Sequence, residues 1–212
     1  MKKIIYLKDE SFNWKEYEYS TIDELKEEFT KRKILIGDGA SIGDGASIGN
    51  GASIGNGASI GYRASIGYDA SIGDGASIGY RASIGYDASI GYDASIGNGA
   101  SIGNGASIGD GASIGDGASI GYRASIGYDA SIGYDASIGD DVKLLKNFYI
   151  VGSKHSITYT GNNTLSIGYH NYTIDKWKES FKMIGEKESY SEEQINEYYQ
   201  YILMAEQFAK IG

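Results

Sequence analysis

Eighteen isoleucines recur at six-residue intervals from Ile36 to Ile138 without a break. All but the last, Ile138, stand in the same frame, Ile-Gly-x-x-Ala-Ser. A fixed short period marks a repeat architecture, in which each unit buries its apolar face only against its neighbours. It also leaves no room within the repeats for an inserted catalytic loop. In the unit Ala40-Ser41-Ile42-Gly43-Asp44-Gly45, alternation along an extended stretch sends Ala40 and Ile42 to one face and Ser41 to the other. Gly43-Asp44-Gly45 then turns the chain, with glycine at the third turn position tolerating positive φ. Six residues are too few for a helix and its connection, so each unit is a short strand plus a corner.

Three such units close one triangular coil of eighteen residues, and the eighteen units make about six coils. Parallel strands stacked at about 4.8 Å per coil give a shaft roughly 30 Å long. Isoleucine and alanine fill the interior, serine and glycine face outward, and side chains eighteen positions apart lie one above another. This geometry does not set the handedness, since parallel crossovers are normally right-handed. The frame Ile-Gly-x-x-Ala-Ser, over residues 34–141, resembles that of the hexapeptide-repeat proteins. That resemblance implies an all-β solenoid, a left-handed parallel β-helix. It does not imply one activity, because the family includes acyltransferases, nucleotide-sugar enzymes, carbonic-anhydrase-like proteins and inert scaffolds.

The flanks differ in kind. Residues 3–7 and about 14–19 read as strands, and Ile22 to about Lys31 as a helix with Ile22, Leu25 and Phe29 on one face. Thr21 and Glu24 form a capping-box pattern at its start. This αβ segment is expected to cover the first coil, whose unpaired strand groups would otherwise invite end-to-end stacking. After Asp140-Asp141 the frame stops. Asn147–Val151 reads as a strand, and Ser156–Thr160 and Thr164–Ile167 as a hairpin across Gly161-Asn162-Asn163. Thr173 caps a helix carrying Ile174, Trp177, Phe181 and Ile184, ending at Gly185. Ser191 and Gln194 open a second helix to about Ala209, with Ile195, Tyr198, Tyr199, Ile202, Leu203 and Phe208 covering more than one face. The expected division is an N-terminal cap over 1–33, the β-helix over 34–141, and a C-terminal hairpin with two helices over 142–212. Gly152-Ser153-Lys154-His155, Ile167-Gly168-Tyr169-His170 and Thr173-Ile174-x-x-Trp177 resemble the tails of uncharacterised proteins encoded by gut bacteriophages and prophages. That resemblance implies a mobile-element source and brings no activity with it.

The chain has no cysteine, which excludes disulfides and thiol chemistry. The apolar run Ile4–Leu7 is too short for a signal peptide or a membrane span, so a soluble protein of the bacterial cytoplasm is expected. Residues 1–35 and 142–212 each hold eight basic and eight acidic residues, so the net charge of −9 lies on the repeats, with three Arg against twelve Asp. An acidic shaft disfavours a nucleic-acid backbone, which needs clustered Lys and Arg.

Only the corners vary. One kind is Asp-Gly or Asn-Gly; the other is Tyr followed by Arg or Asp, at Tyr62, Tyr68, Tyr80, Tyr86, Tyr92, Tyr122, Tyr128 and Tyr134. Tyr62 and Tyr80 fall in one column and should stack, as should Tyr68 and Tyr86. Arg63 and Arg81 share a column as well, and like charges that close repel unless a carboxylate or a phosphate sits between them. Beside them Tyr62 and Tyr80 could stack on a nucleobase. Against a tuned notch, residues 73–96 and 115–138 are identical at an offset of forty-two, which puts Tyr122-Arg123 on a different corner from Tyr80-Arg81.

The acyltransferases that the repeat resembles use a histidine as general base beside a cleft between subunits. Here the shaft has no histidine, and only His155 and His170, both after it, are candidates. Two histidines are too few for a three-histidine zinc site, and no metal or cofactor is expected. The expected protein is a non-enzymatic scaffold or binding protein, homotrimeric as the family resemblance implies and because the C-terminal helices carry excess aromatic surface. It would hold a small anionic, nucleotide-like ligand through Tyr62, Arg63, Tyr80 and Arg81, or through Lys154, His155 and Trp177. The alternatives are a hexapeptide-type acyltransferase using His155 or His170, and a purely structural spacer.

Overall fold

A computed structural model describes residues 2–9, 11, 13–144, 149–161 and 163–211. Strand pairing fixes the lap length. Ser59-Ile60 pairs in parallel with Ser77-Ile78, and Ser77-Ile78 with Ser95-Ile96, each eighteen residues on. Short strands from Leu35–Ile36 to Lys143–Leu144 stack in three parallel sheets, one per face of the triangle. The protein is a left-handed parallel β-helix of about six coils, with helices and a C-terminal antiparallel sheet. The isoleucines from Ile42 to Ile138 are at most 2% exposed and the alanines from Ala46 to Ala136 at most 3%. Burying each isoleucine contributes about 1.5–3 kcal/mol. The frame also runs one unit past the last isoleucine: Val142 and Leu144 take the Ala and Ile places, and Lys143–Leu144 pairs with Ser125–Ile126.

The backbone bonds between coils follow one rule. In each unit the Ser and first Gly N–H groups donate to the coil above, as in Ser59 to Ala76 O (2.8 Å) and Gly61 to Ile78 O (2.8 Å). The third corner residue donates to the coil below, as in Gly57 to Asp38 O (2.9 Å). An Asx side chain at the corner adds a rung: Asp38, Asn56, Tyr80, Tyr86, Tyr92, Asn98 and Tyr122 each donate an N–H to the Asx Oδ1 eighteen residues on.

The two corner glycines do different work. A Cβ on Gly79 would lie 2.6 Å from Asn98 N and Gly97 C, so that position is glycine because the coils touch there, backbone to backbone. Gly99 has φ +66° and open space around it. Where Tyr displaces the Asx, the positive φ survives without glycine: Arg63, Asp69, Arg81 and Asp87 all lie between 52° and 55°. Asp tolerates this region better than Arg does.

Both ends are covered. Lys3–Lys8 pairs antiparallel with Trp14–Tyr19 and parallel with Ala46–Ile48, aligning Ile5 with Ala46 and Leu7 with Ile48. The first strand thus stands in for a missing coil, and its Ile4 N–H donates to Asp44 Oδ1 (2.6 Å), the same Asx rung that the coils use. Tyr19 and Lys3 satisfy the otherwise free Ile42 carbonyl. The expected helix opens as a 3-10 turn, Ile22–Leu25, with the Thr21–Glu24 capping box formed, and continues as α1, Lys26–Lys31.

At the far end the expected hairpin is the centre of a four-stranded antiparallel sheet: Tyr149–Val151, Ser156–Gly161, Thr164–Ile167 and His170–Thr173. The first part of the expected Asn147–Val151 strand, and Asn162 of the turn, lie outside the described residues. Gly133 N–H donates to Thr158 Oγ1 and Asn171 Nδ2 to Ser137 O, tying this sheet to the last coil. Two helices follow, α2 (Ile174–Lys187) and α3 (Glu192–Ile211). Among the described residues no helix is long and apolar enough to cross a membrane.

Two substitutions separate the roles of the glycines. Gly79→Ala should cost about 3 kcal/mol or more, because backbone must move, and Gly99→Ala only about 1 kcal/mol of backbone strain. Urea denaturation of the two variants measures the difference, and equal costs would contradict the close-contact account. Asp44→Ala should speed hydrogen exchange at the Ile4 amide while leaving the mid-shaft amides slow.

Candidate active site

Both histidines belong to the C-terminal unit, and the fold brings them together. Ile167 pairs with His170 across a tight turn through Gly168, at φ +56°, and Tyr169. Gly168 donates its N–H to Ser156 O, and a Cβ there would lie 3.0 Å from His155 Cδ2. The glycine therefore serves both the turn and the approach of the His155 ring. Beneath them lies a core of Ile157, Leu165, Ile167, Ile174, Trp177, Tyr198 and Ile202.

His155 is committed to its neighbours. Its Nδ1 lies 2.5 Å from Tyr190 Oη, and the two rings stack at 5.7 Å. The Tyr198 hydroxyl accepts the His155 N–H and donates to the His155 carbonyl. Burial, then the Lys154 ammonium, pulls the His155 pKa below its usual value, so the ring stays neutral. Burial also pushes the Tyr190 hydroxyl well up. Lys154 Nζ donates to Ser189 O and lies over the Tyr190 ring. Trp177 is 3% exposed, and its indole N–H goes to Leu165 O (2.6 Å), so it serves the core.

His170 faces outward. Its Nε2 lies 3.2 Å from Glu188 Oε1, and the two side chains are 20% and 22% exposed. The Tyr169 hydroxyl, then His170, holds the Glu188 carboxyl below the usual carboxylate range. Tyr169 and Tyr172 flank the His170 ring at 4.2 and 5.9 Å. The cavity between the histidines, lined also by Glu188, Tyr190 and Trp177, holds about 20 Å³. That admits one water and no substrate. Tyr169, whose ring lies against that of His170, is 61% exposed. Sequence reasoning named both histidines and missed Glu188 and Tyr190. These lie at and just beyond the end of α2, in no motif, and only their proximity to Gly185 and the helix end could have drawn attention to them.

On the shaft, Tyr62 and Tyr80 stack with centroids 5.6 Å apart and planes 5° apart. Arg63 and Arg81 each lie over the adjacent tyrosine, at 5.0 and 4.9 Å. Neither forms an ion pair among the described residues, whereas Arg123, displaced to another column, meets Asp141 at 3.5 Å. The shaft residues Tyr62, Arg63, Tyr80 and Arg81 and the end residues Lys154, His155 and Trp177 are therefore two separate groups.

A family model described as Bacterial transferase hexapeptide (six repeats) matches residues 87–128. No curated protein matches in sequence. Among solved structures, the chain is similar to the acetyltransferase domain of PglB from Neisseria gonorrhoeae, with 25% identity over 42% of this chain and 43% of that one, TM-score 0.41. It is similar to the UDP-N-acetylglucosamine acyltransferase of Francisella novicida, with 27% identity over 52% and 49%, TM-score 0.47. It is also similar to LpxA from Acinetobacter baumannii, with 16% identity over 59% and 62%, TM-score 0.43. The match spans about half the length of the first two of these structures. The expectation of a non-enzymatic scaffold is corrected by the family match, since the model that fits the repeat is that of a bacterial transferase; the alternative, acyl transfer, is taken up below.

The His155 environment generates a pH prediction. Its folded pKa lies below the unfolded value of about 6.5, so the unfolded chain takes up the proton first and stability falls as pH falls below that value. Thermal unfolding of the C-terminal unit, followed by near-ultraviolet circular dichroism, should give a lower Tm at pH 5.5 than at pH 7.5. His155→Gln should flatten the dependence, and a drop that persists in that variant would contradict the assignment.

Proposed function

We propose that the protein is an acyltransferase in which His170 is the general base and Glu188 orients it. The observation that carries the reading is the His170–Glu188 pair, partly open to solvent at the end of a transferase-type hexapeptide shaft. A carboxylate on Nε2 places the ring proton there and leaves the Nδ1 lone pair for an incoming acceptor. The acceptor, an amine or hydroxyl, gives its proton to Nδ1 as its heteroatom attacks the carbonyl of an acyl thioester. The carbon–sulfur bond then breaks and the imidazolium returns the proton to the leaving thiolate. Glu188 stabilises the imidazolium in between, and its depressed pKa keeps it charged for that role. His155 stays neutral within the core, holding the Gly168 turn and Tyr190 in place, and takes no part in proton transfer.

In this reading three copies assemble along their shafts. The exposed corner tyrosines, Tyr92 and Tyr134 among them, are open to such a seam, and Arg63 and Arg81, without an ion-pair partner among the described residues, would take carboxylates of a neighbouring copy there.

Release of free thiol from an acyl thioester, measured across amino-sugar and hydroxyl acceptors, tests the reading. His170→Gln should lower the rate about 100-fold or more with Tm unchanged. Acceptor-dependent turnover that ignores His170→Gln, or no turnover with any acceptor, would overturn it.

A further inference from the structure

Two recesses adjoin at the opposite end of the molecule, where the N-terminal strands meet the first coils. One is a basin of about 560 Å³ lined by Lys8, Lys15, Lys31 and Arg32, with Glu28 and Asn50. The other is a groove of about 290 Å³ walled by Trp14, Tyr68 and Tyr86, with Gly67 and Gly85 in its floor. Lys8 lines both. Either volume suits a small ligand far better than the 20 Å³ between the histidines.

The basin's cations divide into two pairs. Arg32 is held by Glu28 Oε2 (2.6 Å), the Tyr17 hydroxyl and the Lys8 carbonyl, and Lys31 by Glu28 Oε1 (2.8 Å). Between them they keep Glu28 ionised, its pKa pulled down to about 2, chiefly by Lys31. Lys8 and Lys15 have no carboxylate partner among the described residues; they lie over the Trp14 and Tyr17 rings at 5.3 and 5.4 Å. With Asp9 counted, four cations face two carboxylates among the described lining residues, a surplus of two on a chain whose net charge is −9. The surplus favours an anion and steers it to this end.

Asn50 adds an independent sign. At seven corners an Asx Oδ1 accepts an N–H from the residue eighteen places before, and Asp44 Oδ1 accepts one from Ile4 instead. For Asn50 the residue eighteen places before is Arg32, whose N–H already donates to Phe29 O at the end of α1. Asn50 Oδ1 is therefore buried without a partner among the described residues, and Asn50 lines the basin, where an amide can offer a ligand either its oxygen or its NH₂.

The groove has aromatic walls that are half-exposed, Trp14 at 47%, Tyr68 at 44% and Tyr86 at 51%, over a floor from which the glycines raise no side chain. That shape takes a ring edge-on between flat faces. We propose that basin and groove form one binding site for a ring-bearing phosphate ester, with the phosphate on Lys8 and Lys15 and the ring between Trp14 and the tyrosines. Three strand spacings, about 14 Å, lie between the Ser83–Ile84 level of the groove and the last coil on that face, below the histidines, so the site stands whether or not the acyl-transfer reading does.

Trp14 reports on the site directly, because the only other tryptophan, Trp177, is buried in the C-terminal core. Fluorescence titration of the full chain uses adenosine monophosphate, glucose 1-phosphate and inorganic pyrophosphate, with adenosine and glucose as unphosphorylated controls. Saturable quenching is expected with one of the two ring phosphates, which names the ring, and weaker binding with pyrophosphate. The double variant Lys8→Gln, Lys15→Gln should weaken all phosphate binding at least tenfold. Tyr86→Ala, a surface change, should weaken the ring phosphate at least threefold and leave pyrophosphate unchanged. No response to either ring phosphate, binding that the lysine variant leaves intact, or equal binding of the unphosphorylated controls would overturn the proposal.

Discussion

The structure depends on one contact: within the shaft, the backbone of each coil lies directly on the backbone of the next at the glycine that follows the isoleucine. At Gly61, Gly67 and Gly73 a Cβ would fall 2.5–2.6 Å from a carbonyl carbon of the coil above. A methyl group there would hold adjacent coils apart and break the N–H bonds that run up the shaft on either side of it. The isoleucines then fill a triangular interior whose width is already set by backbone, which is why one residue type can serve in eighteen places without a compensating change.

A stack of identical coils has a difficulty only at its ends, where carbonyls face nothing below and N–H groups face nothing above. The chain meets this with mimicry at one end and side chains at the other. Its first strand copies a coil, with Ile5 and Leu7 in the Ala and Ile places and Ile4 on the Asx rung. Thr158 and Asn171 reach back from the C-terminal sheet to the last coil. Chemistry collects at these ends because only they depart from the repeat. The histidines and Glu188 lie beyond the last coil, and the lysine basin lies before the first, where the Asn50 rung has lost its partner.

The period made the lap, the buried face and the columns readable, since 18-residue closure is a consequence of counting. The Tyr62–Tyr80 stack follows from it. Three things were not readable. The positive φ at Arg63 and Asp69 persists because the coil above and below dictates the corner, overriding residue preference. The strand His170–Thr173 lacks alternation strong enough to announce it, being held by its pairing with Thr164–Ile167. Glu188 becomes a partner of His170 only because α2 ends where the sheet turns, a tertiary event with no local pattern. The scaffold expectation had a related cause: the shaft carries no histidine, and His155 and His170 beyond it show no local sign of the Tyr190 and Glu188 partners that the fold gives them.

On this account the shaft is a spacer and the two ends carry the recognition and the chemistry. Excising one lap, residues 99–116, removes neither end, keeps the Ile frame and leaves Arg63, Arg81, Tyr68 and Tyr86 in place. The direct measurement is the His170-dependent acyl-transfer rate of that shortened chain beside its thermal unfolding. The account predicts cooperative unfolding and an unchanged rate. A shortened chain that folds but no longer transfers would show that the shaft itself holds the active site.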